Sequence, residues 1–197
     1  SVTLTDNGGT ANGGVDSSTT QQFTISLTFV NDAPSFLAGA DQTVEEDSGP
    51  ITVAGWASAI DPGSATEGEQ TLTFLTSNDN NSLFAAQPSV DDATGDLTFT
   101  PAADAFGVAT VSVQLQDNGG TANGGQDTSA AQTFLITISP INDAPTVAAF
   151  TLTGVENSAL AFTAVSFTDN FNDVDSDSLH SIRISSLPAN GSLTLNG

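Results

Sequence analysis

The chain has 197 residues, room for one or two domains, and its 38% hydrophobic content with 12 Phe is enough for packed cores. Against 23 acidic residues stands a single cation, Arg183, for a formal net charge of −22, so nothing here neutralises phosphates or adheres to an anionic membrane surface. Cys is absent, which removes disulfides and thiolate chemistry, and no apolar run approaches the roughly 18 residues of a membrane span, so neither nucleic-acid binding nor membrane insertion is expected. Taken in order, residues 1–33 hold the turn DNGGTANGG at 6–14 and then an alternating strand with Phe23, Ile25 and Leu27; the phrase NDAP follows at 31–34. The turn returns at 117–125 and NDAP at 142–145. Both offsets are 111, and residues 1–34 align with 112–145 without a gap, identical at 21 of 34 positions. A period of that length is too long for a solenoid turn and close to the roughly 100 residues of an immunoglobulin-like sandwich.

The chain therefore divides into the last two strands of one repeat (1–33), a complete repeat (34–143) and the first half of a further repeat (144–197). Within the complete repeat, short strands are expected around Thr43 and over Ile51–Trp56, Thr71–Leu75, Leu83–Ala86 and Leu97–Thr100. Two more follow where Val111, Val113 and Leu115, and then Phe134, Ile136 and Ile138, alternate with polar residues. Gly, Pro, Asp and Asn clusters separate them, and no helical period is present, which gives an all-β Greek-key sandwich. In the last segment LPANGSLTLNG (187–197) reads as a hairpin, with Asn190-Gly191 suited to a type I′ turn. Segments 1–33 and 144–197 would each leave an apolar face open: Phe23, Ile25 and Leu27 in one, Leu160, Phe162, Ile182 and Ile184 in the other. They imply either an excerpt of a longer ordered chain or head-to-tail self-association by strand complementation.

The stretch VQLQDNGGTANGGQDTSAAQTFLITISPINDAPTV resembles the end of a cadherin repeat, and the chain is similar to the cadherin-like, immunoglobulin-like extender repeats of large bacterial surface adhesins of the RTX type. The resemblance implies tandem sandwiches joined by short calcium-binding linkers, Ca2+ sitting at each joint and neighbouring repeats of the same chain as the partners. It places Asn31 and Asp32 at the first joint and Asn142 and Asp143 at the second. Asp6 and Asp117 would contribute from the turns, and Asp61, with Glu67 or Glu69, from the loop before the strand at Thr71. In the last segment that loop supplies Asp169, Asp173, Asp175 and Asp177. Glu45 or Glu46 and Asp104 would reach the second joint from the opposite end of the complete repeat. Phe29 and Pro140 stand where cadherin linkers have a further Asp, and Ala103 and Ala105 flank Asp104, so fewer ions per joint than in cadherins are implied.

Calcium takes six to eight hard oxygen ligands in irregular geometry, which suits carboxylates and amides gathered from several loops. The bland readings are that DNGG is only a good turn, NDAP only a stiff linker, and Glu45 and Glu46 a solvated strand edge. Asp173, Asp175 and Asp177 have the opening spacing of an EF-hand, but Ser178 replaces its Gly and Ile184 its Glu, so that motif is rejected. Trp56 belongs to a core. One His, no Lys and no Tyr leave carboxylates alone to do chemistry, and none forms a recognisable catalytic pair, so no enzyme is expected. The leading function is a structural spacer of an extracellular, cell-surface adhesin or filament. The alternatives are a module binding a carbohydrate or protein, and an acidic domain of a halophile's secreted protein.

Overall fold

The computed structural model describes residues 1–186, 189 and 192–194, so most of the expected hairpin over 187–197, its Asn190-Gly191 turn included, lies outside the described residues. The complete repeat is an all-β sandwich. Its strands are β1 (Ser35–Leu37), β2 (Gln42–Glu45), β3 (Ile51–Val53), β4 (Ser58–Asp61), β5 (Leu72–Asn78), β6 (Phe84–Val90), β7 (Leu97–Pro101), β8 (Gly107–Asp117) and β9 (Gln132–Ser139). One sheet runs β2-β9-β8-β5 and the other β3-β7-β6, with β1 paired to β4 beside the latter. Each crossing from β3 and β4 to β5, from β5 to β6 and from β7 to β8 changes sheet, which is the Greek-key pattern. The first strand is divided between the layers: β1 pairs antiparallel with β4, whereas β2 pairs parallel with β9, Gln42 opposite Ile136 through Glu45 opposite Ser139.

Alternation accounts for the core. From β8, Ala109, Val111, Val113 and Leu115 are fully buried, and Ile136 and Ile138 of β9 and Leu97 and Phe99 of β7 meet them. Trp56 packs on Phe134 with ring centres 4.4 Å apart, and its Nε1–H donates to the Ala40 carbonyl at 3.1 Å. It does so from outside a strand, because β3 stops at Val53 and the chain turns through Ala54-Gly55 before β4. Gly55 has a φ of 60°, a left-handed conformation that ends the ladder.

In the flanking segments, residues 1–21 make two isolated bridges, Val2 with Gln21 and Thr5 with Ser17, and residues 22–30 form no strand. Phe23, Ile25 and Leu27 are exposed, as are Leu160, Phe162, Ile182 and Ile184. After the second linker, β10 (Thr146–Val147) pairs with β11 (Phe171–Asn172). Thr146 opposite Asn172 repeats Ser35 opposite Asp61 at the same offset of 111. Between them is a short helix, α1 (Ala164–Thr168), which the strand-like pattern did not foretell; Thr163 and Ser166 close its capping box.

Candidate metal centre

The same alternation that builds the core delivers a carboxylate to each pole of the complete repeat. Continuing the inward set of β8 past Leu115 brings Asp117 to a buried position at the head, where the first linker enters. Continuing Gln42 and Val44 of β2 brings Glu46 inward at the tail, where the second linker leaves.

At the tail Glu46 is 1% exposed. Its Oε1 accepts the Ile141 N–H at 2.8 Å, while its Oε2 is buried with no partner. The Asp143 N–H donates to Asp175 Oδ2 at 2.6 Å, and Asp143 Oδ2 is likewise buried without a partner. Oxygens of Glu46, Asp143 and Asp175 all lie within 4.8 Å of one another, and so do oxygens of Asp47, Asp104 and Asp143. Five carboxylates from four segments thus converge, with Asp143 common to both groups. Burial, then the charges of Asp104, Asp47, Asp175 and Glu46, push the Asp143 carboxyl above its ordinary value. Asp47 (φ 59°) and Asp104 (φ 55°) stand in left-handed turns that aim these side chains at the linker. Asp173 Oδ1 accepts the N–H groups of Asp175 and Asp177, each at 3.1 Å, and so holds the loop that presents Asp175. An all-oxygen set of carboxylates at irregular angles suits a hard divalent cation such as calcium, and two buried oxygens without partners are the atoms it would satisfy.

The head is built differently. Asn31 Nδ2 donates to Asp117 Oδ1 at 2.9 Å and to the Gln126 carbonyl at 2.6 Å, while its Oδ1 accepts from Gln70 Nε2 at 2.6 Å. The Gln126 N–H donates to the Asn31 carbonyl at 2.9 Å, and the Gly119 N–H to Asp117 Oδ1 at 2.8 Å. A Cβ on Gly119 would overlap the Asn31 carboxamide and Gln70. Beside this lock, buried Glu67 accepts the Asp32 N–H at 2.9 Å and the Ser64 N–H at 2.7 Å. These bonds, the one from Asp32 first, hold its carboxyl below the ordinary value against the opposing cost of burial. Asp175 plays the same part toward Asp143.

Of the residues singled out in the sequence, Glu46, Asp104, Asp143 and Asp175 meet in the tail cluster, and Asn31 and Asp117 meet in the head lock. Asp32 is exposed and engaged through its backbone; Asp61 is exposed and accepts the Gly63 N–H at 2.9 Å. Glu45 points outward from β2, and Asp169 caps the end of α1, away from both carboxylate groups. Asn142 is exposed and donates to the Asp143 carbonyl at 3.0 Å. Asp6 accepts the Gly8 N–H at 2.8 Å in its own turn. Asp47, Gln70 and Gln126 were not anticipated. Alternation along β2 signals Glu46 over Glu45, but a neutral Gln beside a strand carries no signal of its own.

Residues 31–136, more than half of the chain, match the bacterial Ig domain family. The match opens on Asn31, the residue that closes the head. No curated protein matches the chain. Among the described residues no helix is long and apolar enough to cross a membrane.

Proposed function

The chain belongs to the bacterial Ig domain family, and on that premise we propose that it is a run of tandem β-sandwich repeats serving as a calcium-stiffened spacer in an extracellular surface protein, with no catalytic role of its own. The observation that carries the reading is Glu46: a fully buried carboxylate with one oxygen unpartnered and a carboxylate oxygen within 4.8 Å of oxygens of Asp143 and Asp175 of the next segment. A buried unpaired charge is costly, and a divalent cation between the two segments turns that cost into a clamp. Glu46, Asp143 and Asp175 would hold one ion, and Asp47 and Asp104 with Asp143 would widen the site. Without an ion these carboxylates repel and the joint between residues 139 and 146 loosens.

The test is calcium titration of the chain with magnesium and NaCl as controls, read by thermal unfolding and small-angle scattering. A site with a Kd of ~0.1 mM gains roughly 2.7 kcal/mol at 10 mM calcium. Calcium should raise the Tm and narrow the distribution of shapes, and Asp143→Ala should abolish both while the complete repeat stays folded. Equal effects of calcium and NaCl at matched ionic strength would replace the clamp with simple charge screening, the behaviour of an acidic domain adapted to salt.

A further inference from the structure

A sheet edge is a row of unpaired backbone groups, and folded chains blunt it with short strands, charges, proline or bulges. Of the four edges of the two main sheets, three are blunted within the strand itself. β2 is four residues long and carries Glu45, and β3 is three residues long. β6 contains Pro88, and its pairing with β7 slips between Phe84 and Ala86 and again between Ala86 and Ser89. The fourth edge, β5, differs: it pairs with β8 from Leu72 to Asn78 without a slip and holds no charge, proline or glycine. The Asp79 N–H donates to the Thr110 carbonyl at 3.2 Å, which continues the alternation by which odd-numbered residues face β8. Leu72, Phe74 and Thr76 therefore turn their backbone groups to the open side. One partner stands there: the Phe74 N–H donates to Asp92 Oδ1 at 2.6 Å, from the loop between β6 and β7. That loop is tied by Asp91 Oδ1, which accepts the Ala93 and Thr94 N–H groups at 3.0 and 2.8 Å. The Asp92 carboxylate thus takes the place in which a neighbouring strand's carbonyl would accept. Leu75, next to Phe74, is 42% exposed on the outer face and lines an open concavity with Ser77 and Gln114.

We propose that β5 is a pairing edge for β5 of a second copy of this chain, and that Asp92 is the guard that keeps it shut. With a net charge of −22 the chain repels its own copies, yet residues 70–78 bear no charge, so this stretch meets itself without repulsion. Antiparallel pairing about a two-fold axis is self-complementary. Centred on Leu75, it lays that side chain against its copy and sets Phe74 opposite Thr76, whose backbone groups would exchange hydrogen bonds. Asp92 pre-empts the exchange by holding the Phe74 N–H, and it would bring two carboxylates to the seam. Edge and guard both belong to the complete repeat and involve neither linker nor the calcium clamp.

The experiment is sedimentation of the full chain in EDTA, with urea unfolding to show that each variant is folded. Asp92→Ala should form dimers at least about tenfold more tightly than the parent chain, since one charge-assisted hydrogen bond no longer competes for the edge. Adding Leu75→Glu should return the parent behaviour. Because the chain has no Cys, single cysteines report the contact directly. Even with Asp92 in place, Leu75→Cys should cross-link between copies in oxidised glutathione faster than Thr43→Cys, which is exposed on β2 at the opposite edge of the same sheet. In the Asp92→Ala chain that difference should widen. A folded Asp92→Ala chain that associates no more than the parent would overturn the proposal. So would a dimer that Leu75→Glu leaves intact, or equal cross-linking of the two cysteines.

Discussion

At the head of the complete repeat the linker is fastened by Asn31, a neutral carboxamide with both its donor and its acceptor engaged. At the tail the next linker meets Glu46 and Asp143, each with a buried oxygen that has no partner. The same phrase, NDAP, thus lies in two environments, and each linker is held from the downstream side in the same way, Asp32 by Glu67 and Asp143 by Asp175. What differs is the neighbour. Asn31 is seen against the turn of the repeat it introduces, whereas Asp143 is seen against the tail of the repeat it leaves. Both poles hold a buried carboxylate oxygen without a partner, Asp117 Oδ2 at the head and Glu46 Oε2 and Asp143 Oδ2 at the tail. Among the described residues, however, the groups of three carboxylates within 4.8 Å of one another are at the tail. Ion dependence should therefore be strongest on the tail side of each linker.

The sharpest way to break this comparison is at the head. Asn31→Ala and Gly119→Ala should each cost about 2–4 kcal/mol, because they strand Gln70 and the Gln126 carbonyl or force them apart. Gly8→Ala, at the same place in the first copy of the turn, where a Cβ meets only Asp6, should stay within about 0.5 kcal/mol. Urea unfolding of the three variants decides it, and equal costs for Gly119→Ala and Gly8→Ala would mean that the lock is not what the glycine serves. At the tail, Glu46→Gln keeps an acceptor for the Ile141 N–H and removes the charge. Its midpoint in EDTA should rise while more than half of the calcium increment disappears; a full calcium response in this variant would move the ion elsewhere.

The smallest effect should be a difference in sign with pH. Asp143 is raised in the folded chain, so it holds its proton more tightly folded than unfolded, and the metal-free tail should gain stability as pH falls through that raised value. Glu67 is lowered, so its contribution is present above its ordinary value of about 4.3 and is lost as pH falls further. Asp143→Asn should flatten the first trend and Glu67→Gln the second, read from stability against pH in EDTA. Parallel curves for both variants would erase the distinction between the poles.

The sandwich was legible because its core strands alternate strictly: Val111, Val113 and Leu115 announce β8, and Phe134, Ile136 and Ile138 announce β9. The strand expected over Ile51–Trp56 runs only to Val53, since a left-handed Gly55 is as compatible with a bulge as with the turn that forms. α1 escaped because five residues carry too little period to register. Of the tail cluster, Glu46, Asp104, Asp143 and Asp175 could be placed from their segments, but Asp47 depends on a left-handed turn that only the folded backbone reveals. At the head, Asn31 and Asp117 could be placed from the linker and the turn, and the folded chain joins them by a hydrogen bond. Gln70 and Gln126, which complete the engagement of the Asn31 amide, carried no signal of their own, and Gly119 leaves the room in which that amide sits.

The parallel pairing of β2 with β9 has a mechanical consequence. Tension applied through the two linkers pulls β2 toward the head and β9 toward the tail, in opposite directions along strands that share four registered pairs, Gln42 with Ile136 through Glu45 with Ser139. Loaded this way the ladder is sheared and not unzipped, so its hydrogen bonds must yield together instead of one after another. The rupture force of such a repeat is set by the barrier to that concerted step and not by its equilibrium stability. A string of these sandwiches would then bear load as a series of equal shear clamps, each breaking as a unit.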